Sequence, residues 1–225
     1  MGVFPDMTAS ARGLFRATGK ASKPVPTRLL DGSYTKIDAL EREKDDFYPT
    51  PPEPTRALLA AEAERLSSVG PIWECAAGDG SMAREIEAAG HVVRLSDLID
   101  RGCGAVIRSF YEFGPGEMPR AIITNPPFAE CNRDPGWVRY ALETLEVEYM
   151  ALLLPVNWMG AVSRAALWQK HPPARIYLMR WRIDFTGQGA PPMLNAWFIW
   201  DRKHKGETIL RMLDRKDARQ WSLFE

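Results

Sequence analysis

A chain of 225 residues with 29 basic and 29 acidic side chains has no net charge, so any face for nucleic acid must be a local patch. Three cysteines (Cys75, Cys103, Cys131) and three histidines (His91, His171, His204) lie far apart, which excludes a disulfide frame and a zinc-type ligand spacing and points to the cytoplasm, with no metal. The longest apolar run, Met150 to Val156, is far too short to span a bilayer, and the N-terminus lacks the apolar core of a signal peptide.

Residues 1–46 are poor in apolar periodicity. Arg12, Arg16, Lys20, Lys23 and Arg28 make the segment a basic leader, expected to be disordered and able to touch phosphates. Asp46 to Pro52 is extended and stiffened by prolines. A helix follows, with Pro54 in its first turn and Leu59, Ala63 and Leu66 on one face. Pro71 to Ala76 reads as a strand, ended by Ala77-Gly78-Asp79-Gly80 and then a helix through Ala89. Gly78 and Gly80 allow close backbone approach, and the dinucleotide pattern Gly-x-Gly-x-x-Gly is absent. A second strand, Val92 to Leu98, ends in Asp97, where an acid can take both hydroxyls of a ribose, and Leu98 can pack on a flat ring. Ala105 to Phe110 is a short third strand.

Ala121 to Thr124 is a buried strand that runs into Asn125-Pro126-Pro127-Phe128. Two prolines remove two ladder donors, so the chain must leave the sheet stiffly. The turn presents an amide (Asn125), a free carbonyl (Pro126) and an aromatic face (Phe128), a set that suits a planar amine on a heterocycle. A polar loop is expected over Ala129 to Pro135, then a helix with Val138, Ala141, Leu142 and Leu145 on one face. A strand from Tyr149 to Val156 and a short helix with Ala161, Ala165 and Trp168 come next. Arg175 to Phe185 and Asn195 to Asp201 read as an antiparallel pair around the Gly/Pro-rich Thr186 to Leu194. The expectation is an α/β domain over residues 47–202 with seven strands, five parallel and then the hairpin. A charged tail fills 203–225.

Asn125-Pro126-Pro127-Phe128 resembles the Asp/Asn/Ser-Pro-Pro-Tyr/Phe motif of the amino methyltransferases. These transfer a methyl group from S-adenosylmethionine to an exocyclic amine of adenine or cytosine in DNA, with relatives acting on RNA adenine or a protein glutamine. Glu74, Gly78 and Gly80 match the family's Asp/Glu-x-x-x-Gly-x-Gly loop, and Tyr48 and Thr50 match its Tyr/Thr-Pro-Pro element. The resemblance covers about residues 46 to 202. It implies a Rossmann-like class I methyltransferase fold with S-adenosylmethionine as cofactor. Tyr48, Thr50, Glu74, Ala76, Gly78, Gly80, Asp97, Leu98, Ser109 and Phe110 would hold the cofactor, and Asn125, Pro126, Pro127 and Phe128 would form the catalytic turn. Ser109 departs from the acid that relatives often carry there.

The leading Asn, where cytosine relatives more often have Ser, implies a site-specific DNA methyltransferase acting on adenine N6. RNA adenine, a protein glutamine and a non-catalytic cofactor- or DNA-binding scaffold stay open as alternatives. Nothing is large enough for a dedicated recognition domain, which implies a short or degenerate target or a second subunit such as a homodimer partner. Arg175, Arg180 and Arg182 are candidates for guiding phosphates, or are simply solvated. Gln220-Trp221-Ser222-Leu223-Phe224 resembles the peptide by which bacterial replication and repair proteins dock on the sliding clamp. Gln220 would fix register and Leu223 and Phe224 fill an apolar pocket. The alternative is that Trp221 and Phe224 fold back on this chain's own surface.

Overall fold

The computed structural model describes residues 49–133, 136–185 and 193–215. The chain divides into two units, Met1–Asp46 and Phe47–Glu225, and every described residue belongs to the second. Tyr48, Gln220, Leu223 and Phe224 lie outside the described residues, as does the leader.

Among the described residues eight strands form one sheet: β1 (Ile72–Glu74), β2 (Val93–Asp97), β3 (Val106–Ile107), β4 (Ala121–Thr124), β5 (Tyr149–Pro155), β6 (Arg175–Met179), β7 (Asn195–Asp201) and β8 (Ile209–Leu213). Their order across the sheet is β3-β2-β1-β4-β5-β7-β6-β8. The first five are parallel. β7 runs antiparallel between β5 and β6, in register from Tyr149↔Asp201 to Pro155↔Asn195 on one side and from Arg175↔Ile199 to Leu178↔Ala196 on the other.

The sequence expectation of seven strands needs correction. β8 pairs parallel with β6 from Arg175↔Ile209 to Met179↔Leu213, so the sheet continues beyond residue 202 into the segment read as a charged tail. Four of its five residues are exposed and only Leu213 is buried, so an edge strand of this kind has no apolar alternation to reveal it.

Strand alternation splits the core into two layers. Ile122, Met150, Leu152, Phe198 and Trp200 face one layer with Trp137, Val138, Ala141 and Leu142. Ile123, Ala151, Leu153, Trp197 and Ile199 face the other with Leu58, Leu59, Met82 and Ile86. The helices that supply these side chains are α1 (Pro52–Ala61), α2 (Ala63–Leu66), α3 (Ser81–Ala88), α4 (Phe128–Cys131), α5 (Trp137–Arg139) and α6 (Ala165–Lys170). α1 starts where Pro51 and Pro52 fix an extended residue ahead of the first turn. Trp197 Nε1 donates to Pro54 O at 2.9 Å and pins that start to β7. The helix does not run through to Leu66 as its apolar spacing suggests. It breaks at Glu62 (φ −108°), and Glu62 is buried where Ala63 was expected.

The break has a cause. Glu62 accepts from Arg175 Nε and Nη2, both at 2.7 Å, from Tyr177 Oη at 2.6 Å and from Tyr149 Oη at 3.2 Å. Arg175 and Arg65 also pair with Asp201, each at 3.0 Å. Arg175 is therefore committed to this buried network and is not a free guide for phosphates. Arg180 pairs with Asp214 at 3.3 Å. The polar loop expected after Phe128 is instead the single turn of α4, with Pro127 O accepting from Glu130 N at 3.0 Å. Among the described residues no helix is long and apolar enough to cross a membrane.

Candidate active site

The strand order reverses between β1 and β4, so the connections leaving their C-terminal ends diverge to opposite faces. Parallel sheets open a crevice at such a switch point. β1 ends at Glu74 and β4 at Thr124, followed by Asn125. A narrow cleft lies there, walled by Thr50, Glu74, Ala76, Gly78, Asp79 and Asn125 among others.

Asn125 leaves the sheet on the prolines that follow it. Its Nδ2 donates to Thr50 Oγ1 at 3.0 Å, and its Oδ1 is buried with no hydrogen-bond partner. The amide is thus fixed by one end and offers a bare acceptor with the other. Glu74 is 1% exposed. The Thr124 hydroxyl donates to its Oε1, while Oε2 has no partner. Burial pushes the Glu74 carboxyl up to about 8, with the Thr124 hydroxyl and the Ala76 N–H opposing the rise and the neighbouring Asp97 adding to it. Pro126 is buried, Pro127 is extended at φ −61°, and Phe128 opens α4 half-buried against the core.

The glycine loop needs its glycines. Gly78 and Gly80 have φ of +56° and +79°, conformations costly for other residues. A Cβ at Gly80 would meet Cys103 Cβ at 3.1 Å. Asp97 ties this loop to β2: Gly78 N donates to its Oδ2 at 2.8 Å, and Ile99 N and Arg101 Nη1 donate to its Oδ1 at 2.9 and 3.2 Å. Three of a carboxylate's roughly four acceptor positions are therefore taken. These bonds make Asp97 a shaper of the loop. Leu98 stands beside it at 69% exposure.

Phe110 and Ser109 are placed as follows. Phe110 is 5% exposed, stacked on Trp137 with ring centroids 4.2 Å apart and packed against Trp73 at 5.4 Å. It is a core residue, because an aromatic-rich turn finds two tryptophans beneath it. Ser109 precedes a 3₁₀ turn, Phe110–Glu112, its N–H donating to Glu112 Oε2 at 3.2 Å. Its backbone serves the turn. Thr124, whose hydroxyl orients Glu74, was missed by the sequence reading. So was Ser81, which lines the cleft at the start of α3. A polar residue ending an apolar strand was the available signal for Thr124.

Among the described residues no cluster of His, Cys, Asp and Glu could hold a metal ion. The cleft fits an amino-acid-bearing cofactor on two counts: an unpartnered carboxylate oxygen suits an ammonium, and the glycine loop admits close approach.

A scan against protein-family models and a search of curated proteins found no match. A solved structure from Listeria monocytogenes, described as a candidate class I S-adenosylmethionine-dependent methyltransferase, superposes with a TM-score of 0.50 at 14% sequence identity over 73% of this chain. The chain spans 65% of that protein's length. The fold is that of a class I methyltransferase. The reversed β7 between β5 and β6 and the crevice between β1 and β4 belong to that architecture, and β8 is an addition at its edge.

Proposed function

We propose that this chain is an S-adenosylmethionine-dependent amino methyltransferase acting on the N6 amine of adenine, in DNA. The observation that carries the reading is Asn125 Oδ1: a buried acceptor with no partner, at the mouth of the cleft that holds Glu74. An unpaired buried carbonyl costs about 1–3 kcal/mol, so it is kept for a donor that arrives. The Nδ2 bond to Thr50 fixes which end of the amide faces the target.

S-adenosylmethionine would supply the methyl group from its sulfonium. Glu74 would hold its ammonium, and the backbone at Gly78 would let it approach. The exocyclic nitrogen of adenine is a poor nucleophile because its lone pair is delocalised into the ring. Asn125 Oδ1 and the Pro126 carbonyl would accept the two N–H bonds, favour a tetrahedral nitrogen and localise that lone pair. The stiff proline turn holds both acceptors in place before reaction, and orientation of this kind is the protein's main contribution. Phe128 would stack on a base taken out of the duplex. The leading Asn of the motif supports adenine over cytosine.

The test is tritium transfer from labelled S-adenosylmethionine to unmethylated DNA, with RNA and protein as parallel acceptors, followed by sequencing of methylated bases in a methylation-free host. Asn125→Ala should lower transfer by about 10²-fold or more, the scale of one lost oriented acceptor, and leave cofactor affinity unchanged. Transfer to none of the three acceptors would sink the enzyme reading.

A further inference from the structure

We propose that Glu74 is an uncharged carboxylic acid in the cofactor-free protein and gives up its proton when the cofactor's ammonium arrives, so that cofactor binding is coupled to release of a proton. The inference rests on reading the cleft as the S-adenosylmethionine site. It follows from where the carboxyl stands. Glu74 is 1% exposed and its Oε2 has no partner, while the donors that reach the carboxyl, the Thr124 hydroxyl and the Ala76 N–H, are neutral.

The groups around it offer no counter-charge. β1 continues into Cys75, a buried thiol. β2 contributes Asp97, a second acid, whose own cation Arg101 sits 3.2 Å from the far oxygen Oδ1. The glycine loop contributes Asp79, which faces Arg84 at 4.0 Å near the surface. β4 and the segment before α1 bring only the neutral side chains of Thr124, Asn125 and Thr50. No Lys, Arg or His pairs with Glu74 among the described residues. A carboxylate buried without a cation favours its neutral form, and burial here raises the carboxyl to about 8.

An arriving ammonium reverses the preference. The acid loses its proton to solvent, and a carboxylate–ammonium pair forms in its place. The proton is the only species released, and the ammonium enters already charged. As pH rises through about 8 the carboxyl of the free protein is itself ionised, so proton release falls toward zero. The cleft thereby discriminates by charge: a neutral ligand of the same shape leaves Glu74 protonated and gains no ion pair.

The experiment is calorimetric titration of the full chain with S-adenosylmethionine at pH 6.5, in buffers of different ionisation heat. In parallel, the carbonyl stretch of a protonated acid is followed by infrared spectroscopy in the cofactor-free protein. Release of close to one proton per cofactor is expected, with an acid band that disappears on binding and is missing in Glu74→Gln. Thr124→Val is a near-isosteric second variant that keeps the carboxyl. It removes the donor that favours the ionised form, so its acid band should persist to higher pH than in the wild type. Cofactor binding without proton release, or an acid band insensitive to both substitutions, would overturn the proposal. Failure of the wild type to bind S-adenosylmethionine at all would overturn the cofactor reading and the coupling with it.

Discussion

Asn125 and Thr50 form the contact on which the proposed chemistry turns. Without the Thr50 hydroxyl, the amide loses the acceptor that fixes its Nδ2 at 3.0 Å and is free to present either end to the target. Thr50→Val should therefore slow transfer roughly tenfold, the worth of one hydrogen bond, without weakening cofactor binding, and Thr50→Ser should restore it. Single-turnover rates alongside a cofactor titration would separate the two effects. Glu74 makes a second prediction, for stability. Burial pushes its folded carboxyl up to about 8, above the ordinary value of 4.5. The folded state thus holds more protons than the unfolded state between those values. Its contribution is complete below about 4.5 and is lost as pH rises through about 8. In Glu74→Gln this slope should vanish, so the variant's melting temperature should exceed wild type by more at pH 8 than at pH 5. Asn125 was legible in the sequence because two prolines after a strand leave few other readings. Thr124 was not, since its partner lies 50 positions earlier, and the sequence neighbourhoods of Asp97 and Phe110 suit ligand and scaffold alike.

Elements differ in how openly they announce themselves. β4 and β7 have the bounds that the sequence suggests, because each is a fully or almost fully buried apolar run between prolines, glycines or charges. The helical spacing of Val138, Ala141, Leu142 and Leu145 likewise marks side chains that are all buried, although the backbone carrying them passes from α5 into a π turn, Tyr140–Thr144. β8 was illegible for the opposite reason. It is held by backbone pairing to β6 and by one side chain, Leu213, which is 5% exposed in the layer with Tyr177 and Met179. Leu213→Ala should cost about 2–3 kcal/mol, the low end for a buried leucine because the site lies at the sheet edge, measured by urea unfolding. A cost near zero would mean that the strand is held by its backbone alone.

Across the whole molecule the sheet is polarised. β1 and β4 end at the cleft with two unpartnered acceptors, Glu74 Oε2 and Asn125 Oδ1, and β5 and β6 begin at an ionic network built from Glu62, Arg65, Tyr149, Arg175, Tyr177 and Asp201. The network ties the break between α1 and α2 to β5, β6 and β7. Arg175→Ala would strand Glu62 as a buried, partly unpaired charge and should destabilise the fold by roughly 3–5 kcal/mol. Replacing Glu62 by Gln in the same chain should recover part of that loss, read from the same unfolding curves. The arginine was legible as a charge on a strand, but its role was not, because that depends on a helix break more than a hundred positions earlier.

The pinning of the Pro49–Pro54 segment has a consequence for the order in which the chain folds. Thr50 meets Asn125 across 75 positions, and Pro54 meets Trp197 across 143. Contacts this distant in sequence close large loops and form late, after strands such as β4 and β5 have paired. The oriented amide is therefore among the last features to assemble. Partly folded chains would have the sheet without a competent acceptor, and so could not modify a target before the domain is complete.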